Sequence, residues 1–243
     1  MSITCAATFF CAQQTILEKK KEGIVTSRKL SWVLIGALFG GALTFYIWKV
    51  RLWMQNWGTQ ADETTKPLPG DETVRNPMVQ STRAITINAP PEAVWHWLVQ
   101  IGLDRGGFYS YDALDNEGKP SATTIVPELQ ALQVGDKIML DRKTAVTVTH
   151  LEPPRAMVWT MLDMPVELGL TADVTMAFVL EPLGGDRSRL IARIRGRLHG
   201  SLGWLYIYLL DEWVSFLMQR KQLLGIKARA EGSGLCQNQP PRL

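Results

Sequence analysis

The stretch from Thr82 to Gly102, TRAITINAPPEAVWHWLVQIG, leaves the backbone little choice: a strand must run into a helix. Arg83, Ile85 and Ile87 alternate with Thr82, Ala84 and Thr86, the period of a strand with one covered face and one wetter face. Two prolines end it. Pro91 has no amide hydrogen to give a sheet and pushes Pro90 out of helical geometry, so Pro90 caps a helix that begins at Pro91. Glu92 then falls in the first turn, where the helix dipole favours a carboxylate. Val94, Trp97, Leu98 and Ile101 recur at helical spacing, and Gly102 supplies the residue that most easily turns left-handed past a helix end. One apolar stripe results, and it needs a sheet to cover it.

The rest of the chain supplies that sheet. Gly106 and Gly107 break the backbone before FYSYDALDN, a short helical turn ending near Asn116, and Pro127 starts another short element. Strands are expected over 137–140, 145–151, 156–161, 173–180 and 188–198, joined by short turns into an antiparallel meander. In the last of them Leu190, Ala192, Ile194 and Leu198 share one face, and Arg189, Arg193, Arg195 and Arg197 the other. The arginine row reads as a solvated outer surface, with contact to anionic lipid headgroups as the alternative. A long helix is expected over 203–230, with Leu209, Leu210, Trp213, Phe216, Leu217, Leu223 and Leu224 inward and Asp211, Ser215, Gln219 and Gln222 outward. Its start, WLYIYLL, is apolar on all sides and needs cover.

Ahead of the domain, residues 30–48, LSWVLIGALFGGALTFYIW, carry no charge. At about 1.5 Å per residue this run approaches the roughly 30 Å of a bilayer core, which makes it a single transmembrane helix. It is longer than the apolar part of a secretory signal and has no A-x-A-like site after it. Trp32, Tyr46 and Trp48 sit where aromatic side chains prefer the headgroup boundary. Lys19, Lys20, Lys21, Arg28 and Lys29 precede the span and Lys49, Arg51 and Lys66 follow it, a bias that leaves the domain extracytoplasmic. Gly36 and Gly40 have the GxxxG spacing of a homodimer contact, although glycine is common in spans and chance is the plainer reading. The organisation expected is a tail over 1–29, the span over 30–48, a juxtamembrane linker over 49–80, the folded domain over 81–231 and a frayed tail over 232–243. A net charge of +3 gives no footprint for nucleic acid. Cys5, Cys11 and Cys236 all lie in the tails, so neither disulfides nor a cysteine metal site hold the domain.

The order of strand, helical segments, antiparallel meander and long carboxy-terminal helix resembles the START-like or SRPBCC superfamily, which includes polyketide cyclase/dehydrase-like proteins. TRAITINAPPEAVWHWLVQIG is similar to its opening strand and first helix, and RGGFYSYDALDN, VPELQALQVGD and QRKQLLGIKARAE are similar to sequences of one bacterial branch. The likeness covers Thr82 to Glu231. It implies an α+β helix-grip fold, an antiparallel sheet wrapped around the terminal helix, with a cavity between them for a hydrophobic small molecule or lipid. The superfamily hosts binders, transporters and enzymes on one scaffold, so a cyclase, dehydratase or hydrolase is the alternative to a binder.

The chemistry-bearing residues cluster around the two glycines. Asp104, Arg105, Tyr109, Tyr111, Asp112 and Asp115 place carboxylates, a guanidinium and phenols in one segment, where Asp104, Tyr109 and Asp112 are the candidates for acid–base work. Capping of turns and helix starts is the competing role, favoured for Asp112 and Asp115. Trp97, Tyr109, Tyr111, Trp159, Phe178, Trp213 and Leu217 are the candidate pocket residues. His96, His150 and His199 are scattered, no second ligand stands at metal spacing from any of them, and neither a metal nor a cofactor is expected.

Overall fold

The computed structural model describes residues 32–166, 169–200 and 212–237. The chain divides into two compact units, Met1–Leu52 and Trp53–Leu243. Helix α1, Trp32–Gln55, has 24 residues and is long and apolar enough to cross a membrane. At 1.5 Å per residue it extends about 36 Å, against a bilayer core of about 30 Å. The Thr44 hydroxyl donates to the Gly40 carbonyl at 2.8 Å, so this polar group is satisfied within the helix. Leu30, the basic cluster before it and Cys5 and Cys11 lie outside the described residues.

In the second unit β1 (Val79–Ile87) leads through Pro90, whose ψ of 155° is extended, into α2 (Pro91–Val99), as the two prolines dictate. A four-residue helix α3 (Asp112–Asp115) follows. The meander then comprises β2 (Lys137–Met139), β3 (Ala145–Glu152), β4 (Ala156–Pro165), β5 (Thr171–Pro182) and β6 (Ser188–His199). The long helix is α4 (Glu212–Gln237), and the WLYIYLL segment lies outside the described residues. All six strands form one antiparallel sheet in the order β1-β6-β5-β4-β3-β2, so β1 closes the meander beside β6. Its inner face packs Met157, Trp159, Phe178, Leu180, Leu190 and Ala192 against Trp97, Leu98 and Ile101, and against Leu223, Ile226 and Ala230 of α4. An antiparallel sheet holding a terminal helix in this way is a helix-grip fold.

Most of the arginine row is covered rather than solvated, with Arg195 half-buried and Arg197 exposed, and residues 56–78 are not a loose linker. Arg189 and Arg193 are buried, at 5% and 2% exposure. Arg189 Nε donates to Glu63 Oε1 at 2.6 Å, and its Nη2 donates to Glu63 Oε2 at 2.7 Å and to the Gly58 carbonyl at 2.6 Å. Arg193 reaches the carbonyls of Glu63 and Lys66 and Asp71 Oδ2, Arg195 the carbonyls of Val74 and Arg75, and Arg197 that of Asn76. The segment is therefore a strap laid along β6, each arginine fork bonding the carbonyl groups it passes. Under it Leu68 joins Ala84, Ala156, Val179 and Ile191 in a second small core. Both faces of the sheet are covered, which the arginine spacing alone could not reveal. Arg83, on the helix-facing side of β1, is also buried: it donates from Nε to the Met54 carbonyl at 2.8 Å and from Nη1 to Gln219 of α4 at 2.5 Å.

The phase of α4 also differs from expectation. Glu212, Phe216, Gln219, Leu223, Ile226 and Ala230 are its buried positions, whereas Trp213, Val214 and Leu217 are exposed at 41%, 60% and 49%. The grip survives because Phe216 to Ala230 keep a helical stripe. The stripe is rotated so that side chains assigned to the polar side face the sheet.

Candidate functional site

Between the sheet and the first turns of α4 lies a half-open cavity of about 420 Å³, within the range of small-molecule sites. Trp159, Met161 and Met164 of β4, Val174 and Met176 of β5 and Ile194 of β6 form its apolar wall. Ser215, Met218, Gln219 and Gln222 of α4 close the opposite side, with Ser110 and Asp115 at one end. Four of the nine methionines, Met161, Met164, Met176 and Met218, are in the lining, a choice that suits a wall able to repack around different apolar shapes. Simple alternation would place Met161 and Met164 on opposite faces of β4. A register shift between them, with Asp163 at φ +51°, turns both toward the cavity.

The loop before α3 sets where Asp115 stands. Gly107 has φ +76°, and a Cβ there would lie 2.4 Å from Ser121 Oγ, so only glycine allows the loop to close. Ser121 donates its amide and its hydroxyl to the two oxygens of Asp112, while its Oγ accepts the Tyr109 amide at 3.1 Å. Ser110 Oγ donates to the Met218 carbonyl at 3.0 Å and ties the loop to α4. Asp112 is thus a structural cap, and Asp115, one turn on, is left at the cavity.

Asp115 is the residue that the acid–base candidates missed. Its Oδ1 is buried and has no hydrogen-bond partner. Burial first, then the Asp112 charge, push its pKa from an ordinary 3.8 up to about 6, against the pull of Ser110 and of nearby amides. Between those two values the folded protein holds a proton that the unfolded chain has lost, so stability falls as pH rises through the window. Asp115→Asn is expected to flatten this decline and to be the more stable form at pH 7.5 by about 1 kcal/mol, once the water reaching a half-open cavity is allowed for. Melting temperatures of both proteins from pH 4 to 8 check it, with a gap of about 2–4 °C at the alkaline end.

The other candidates lie elsewhere. Asp104 is exposed and paired with Lys119 and Arg142, both at 2.7 Å, and these hold its pKa below the usual carboxylate range. Tyr109 is 2% exposed, donates its hydroxyl to the Trp97 carbonyl at 3.2 Å, and is pushed by burial up to about 12, which makes it a poor acid. Among the pocket candidates Trp159 lines the cavity. Trp97 and Phe178 are core residues behind it, Tyr111 is 42% exposed, and Trp213 and Leu217 point outward because of the rotated helix. His96 meets Gln130, His150 lies 3.9 Å from Glu152 and His199 pairs with Asp173 at 2.8 Å. No group of three metal-ligating side chains occurs among the described residues.

Fold and cavity define the class: a helix-grip protein with an internal apolar site. No protein-family model matches the chain, and no curated protein does. Solved structures similar in fold include an aromatase/cyclase from Streptomyces sp. R1128, 14% identical, covering 67% of this chain and 99% of its own, at a TM-score of 0.41. An HSP90 activator from Plasmodium falciparum is 13% identical over 60% of this chain and 94% of its own, at 0.38. A conserved protein from Geobacillus kaustophilus is 13% identical over 64% and 97%, at 0.39.

Proposed function

We propose that this protein is a membrane-anchored binder of a hydrophobic small molecule or lipid, held in the cavity between the sheet and α4. The observation that carries it is the lining: a tryptophan, four methionines and aliphatic side chains around about 420 Å³, with polar groups gathered at the α3 and α4 side. Such a site favours a molecule with an apolar body and one polar end. A membrane-spanning α1 would keep the domain close to ligands dissolved in the bilayer, and the basic residues ahead of the span favour a domain outside the cytoplasm. Membranes carrying the full chain, washed at alkaline pH, solubilised and examined by native mass spectrometry, test both halves. The chain is expected to stay in the pellet and to carry a small-molecule mass that Ala172→Phe with Val174→Trp, which fills the cavity, removes. Release by the wash would overturn the anchor, and an unchanged spectrum in the filled variant would overturn the site.

One observation favours a second reading, an enzyme of the cyclase or dehydratase type. A carboxyl with a pKa near 6 facing an apolar cavity is suited to hand a proton to a bound substrate at neutral pH. Asp115, rather than Asp104, Tyr109 or Asp112, would be its acid. Turnover that survives Asp115→Asn would exclude that role.

A further inference from the structure

The cavity carries an uncompensated carboxyl. Among the described residues that line it, Asp115 is the sole ionisable side chain, and no lysine, arginine or histidine stands with it. Its Oδ1 is buried without a hydrogen-bond partner. The charge nearest to it on its own helix is Asp112, which repels it. From α4 the facing groups are Ser215, Gln219 and Gln222, and from the strands only apolar side chains. Arg83 is bonded to Gln219, whose Oε1 accepts from its Nη1. Asp115 itself is half-buried, and a carboxylate with one oxygen buried and no opposite charge beside it in the cavity is costly, a cost that a bound partner of opposite charge relieves.

We propose that the ligand supplies it: the cavity takes an apolar amine, whose protonated nitrogen pairs with the Asp115 carboxylate while its hydrocarbon or aromatic body fills the wall of Trp159 and the methionines. The assignment deepens the proposed binding function and rests on it. Three features select an ammonium over other heads. An anion would meet the carboxylate with like charge in a medium of low dielectric, which is unfavourable. A neutral hydroxyl would satisfy one oxygen and leave the charge uncompensated. An ammonium offers three donors, enough for the carboxylate with the Ser110 or Ser215 hydroxyl or a Gln222 carbonyl as further acceptors.

The test is a matched series on one ring system: naphthylmethylamine, naphthylmethanol and naphthoic acid, titrated by calorimetry into the full chain in lipid nanodiscs, with empty discs subtracted. At pH 7.5 the amine is expected to bind at least about tenfold more tightly than the alcohol, the step that one charge-assisted hydrogen bond gives, and the acid weakest. Asp115→Asn is expected to bring amine and alcohol within about twofold, while Asp115→Glu retains part of the preference. Lowering the pH to 5, where the carboxyl is mostly protonated and the amine still charged, should shrink the ratio by about tenfold in the native protein and leave it unchanged in Asp115→Asn. An amine preference that survives Asp115→Asn would overturn the assignment, and so would the acid as tightest ligand. If alcohol and amine bind equally and both are lost in the Ala172→Phe, Val174→Trp variant, the cavity stands as a binding site and the amine assignment falls. If none of the three binds and filling the cavity changes nothing, the binding function itself falls.

Discussion

Glu63→Ala is expected to be among the most damaging single substitutions in the domain, lowering its stability by about 3–5 kcal/mol, the range for removing one partner of a buried ion pair. Glu63 lies in a stretch whose composition reads as spacer, yet its side chain is buried and grips the buried Arg189 at 2.6 Å. Burial raises the Glu63 pKa, but the Arg189 pair, the Gln60 amide and Lys66 outweigh burial and hold it below the ordinary value. A carboxylate with a depressed folded pKa contributes stability above its unfolded pKa of about 4.5 and loses that contribution as pH falls through the folded value. The loss in Glu63→Ala should therefore be full at pH 7 and shrink toward pH 3. Removing Glu63 leaves the Arg189 guanidinium buried over Thr86 and the Gly58 carbonyl with its charge unmatched. The double variant Glu63→Leu, Arg189→Met should recover most of the loss, because it removes both charges together. Chemical denaturation of the single and double variants decides the matter: a Glu63→Ala protein within about 0.5 kcal/mol of the parent would mean that the strap does not hold the sheet.

Gly225→Ala is the second large effect, and its sign runs against local propensity. Alanine in place of glycine inside an exposed helix gains about 1 kcal/mol. At Gly225, however, a Cβ would stand 2.1 Å from the Tyr109 carbonyl oxygen and 2.8 Å from its Cβ. Tyr109 cannot retreat. Its backbone is at φ +60°, its amide is bonded to Ser121, its hydroxyl to the Trp97 carbonyl, and the Arg229 guanidinium lies 4.5 Å over its ring. The helix must move instead, and overpacking of this kind costs about 1–3 kcal/mol. Gly232, on the same helix with nothing within 4 Å of its Cβ position, is the internal control. Gly232→Ala should be neutral or stabilising while Gly225→Ala destabilises, and equal responses at the two sites would show that α4 does not press on the Tyr109 backbone.

Several elements were legible because local chemistry dictates them. The Pro90–Pro91 pair placed the start of α2, the turns at Gly135 and Gly184 bracketed strands that the structure places within a few residues of the expected limits, and alternation in β6 put Leu190 and Ala192 on the inner face. The errors arose where a face is polar but covered. Four arginines on alternate positions look the same whether water or a strap receives them, since the partners are main-chain carbonyls and acids more than a hundred residues away. In α4 hydrophobicity alone sets the phase with Ser215, Gln219 and Gln222 facing water, whereas the structure turns these polar side chains to the helix side of the cavity. The same difficulty hid Asp115. Capping was the favoured role for it and for Asp112, and only Asp112 turned out to be the cap.

What the sequence determined by itself is the order of strands and helices, the long apolar helix before the domain, and the inward face of the sheet, because each follows from hydrogen bonding, turn chemistry and burial within a few residues. Which surface receives the arginines, how α4 is rotated about its axis, and which carboxyl meets the empty space were decided only by tertiary packing. Each depends on groups far apart in the chain competing for the same buried partners, and the period of a helix or strand carries no information about that competition.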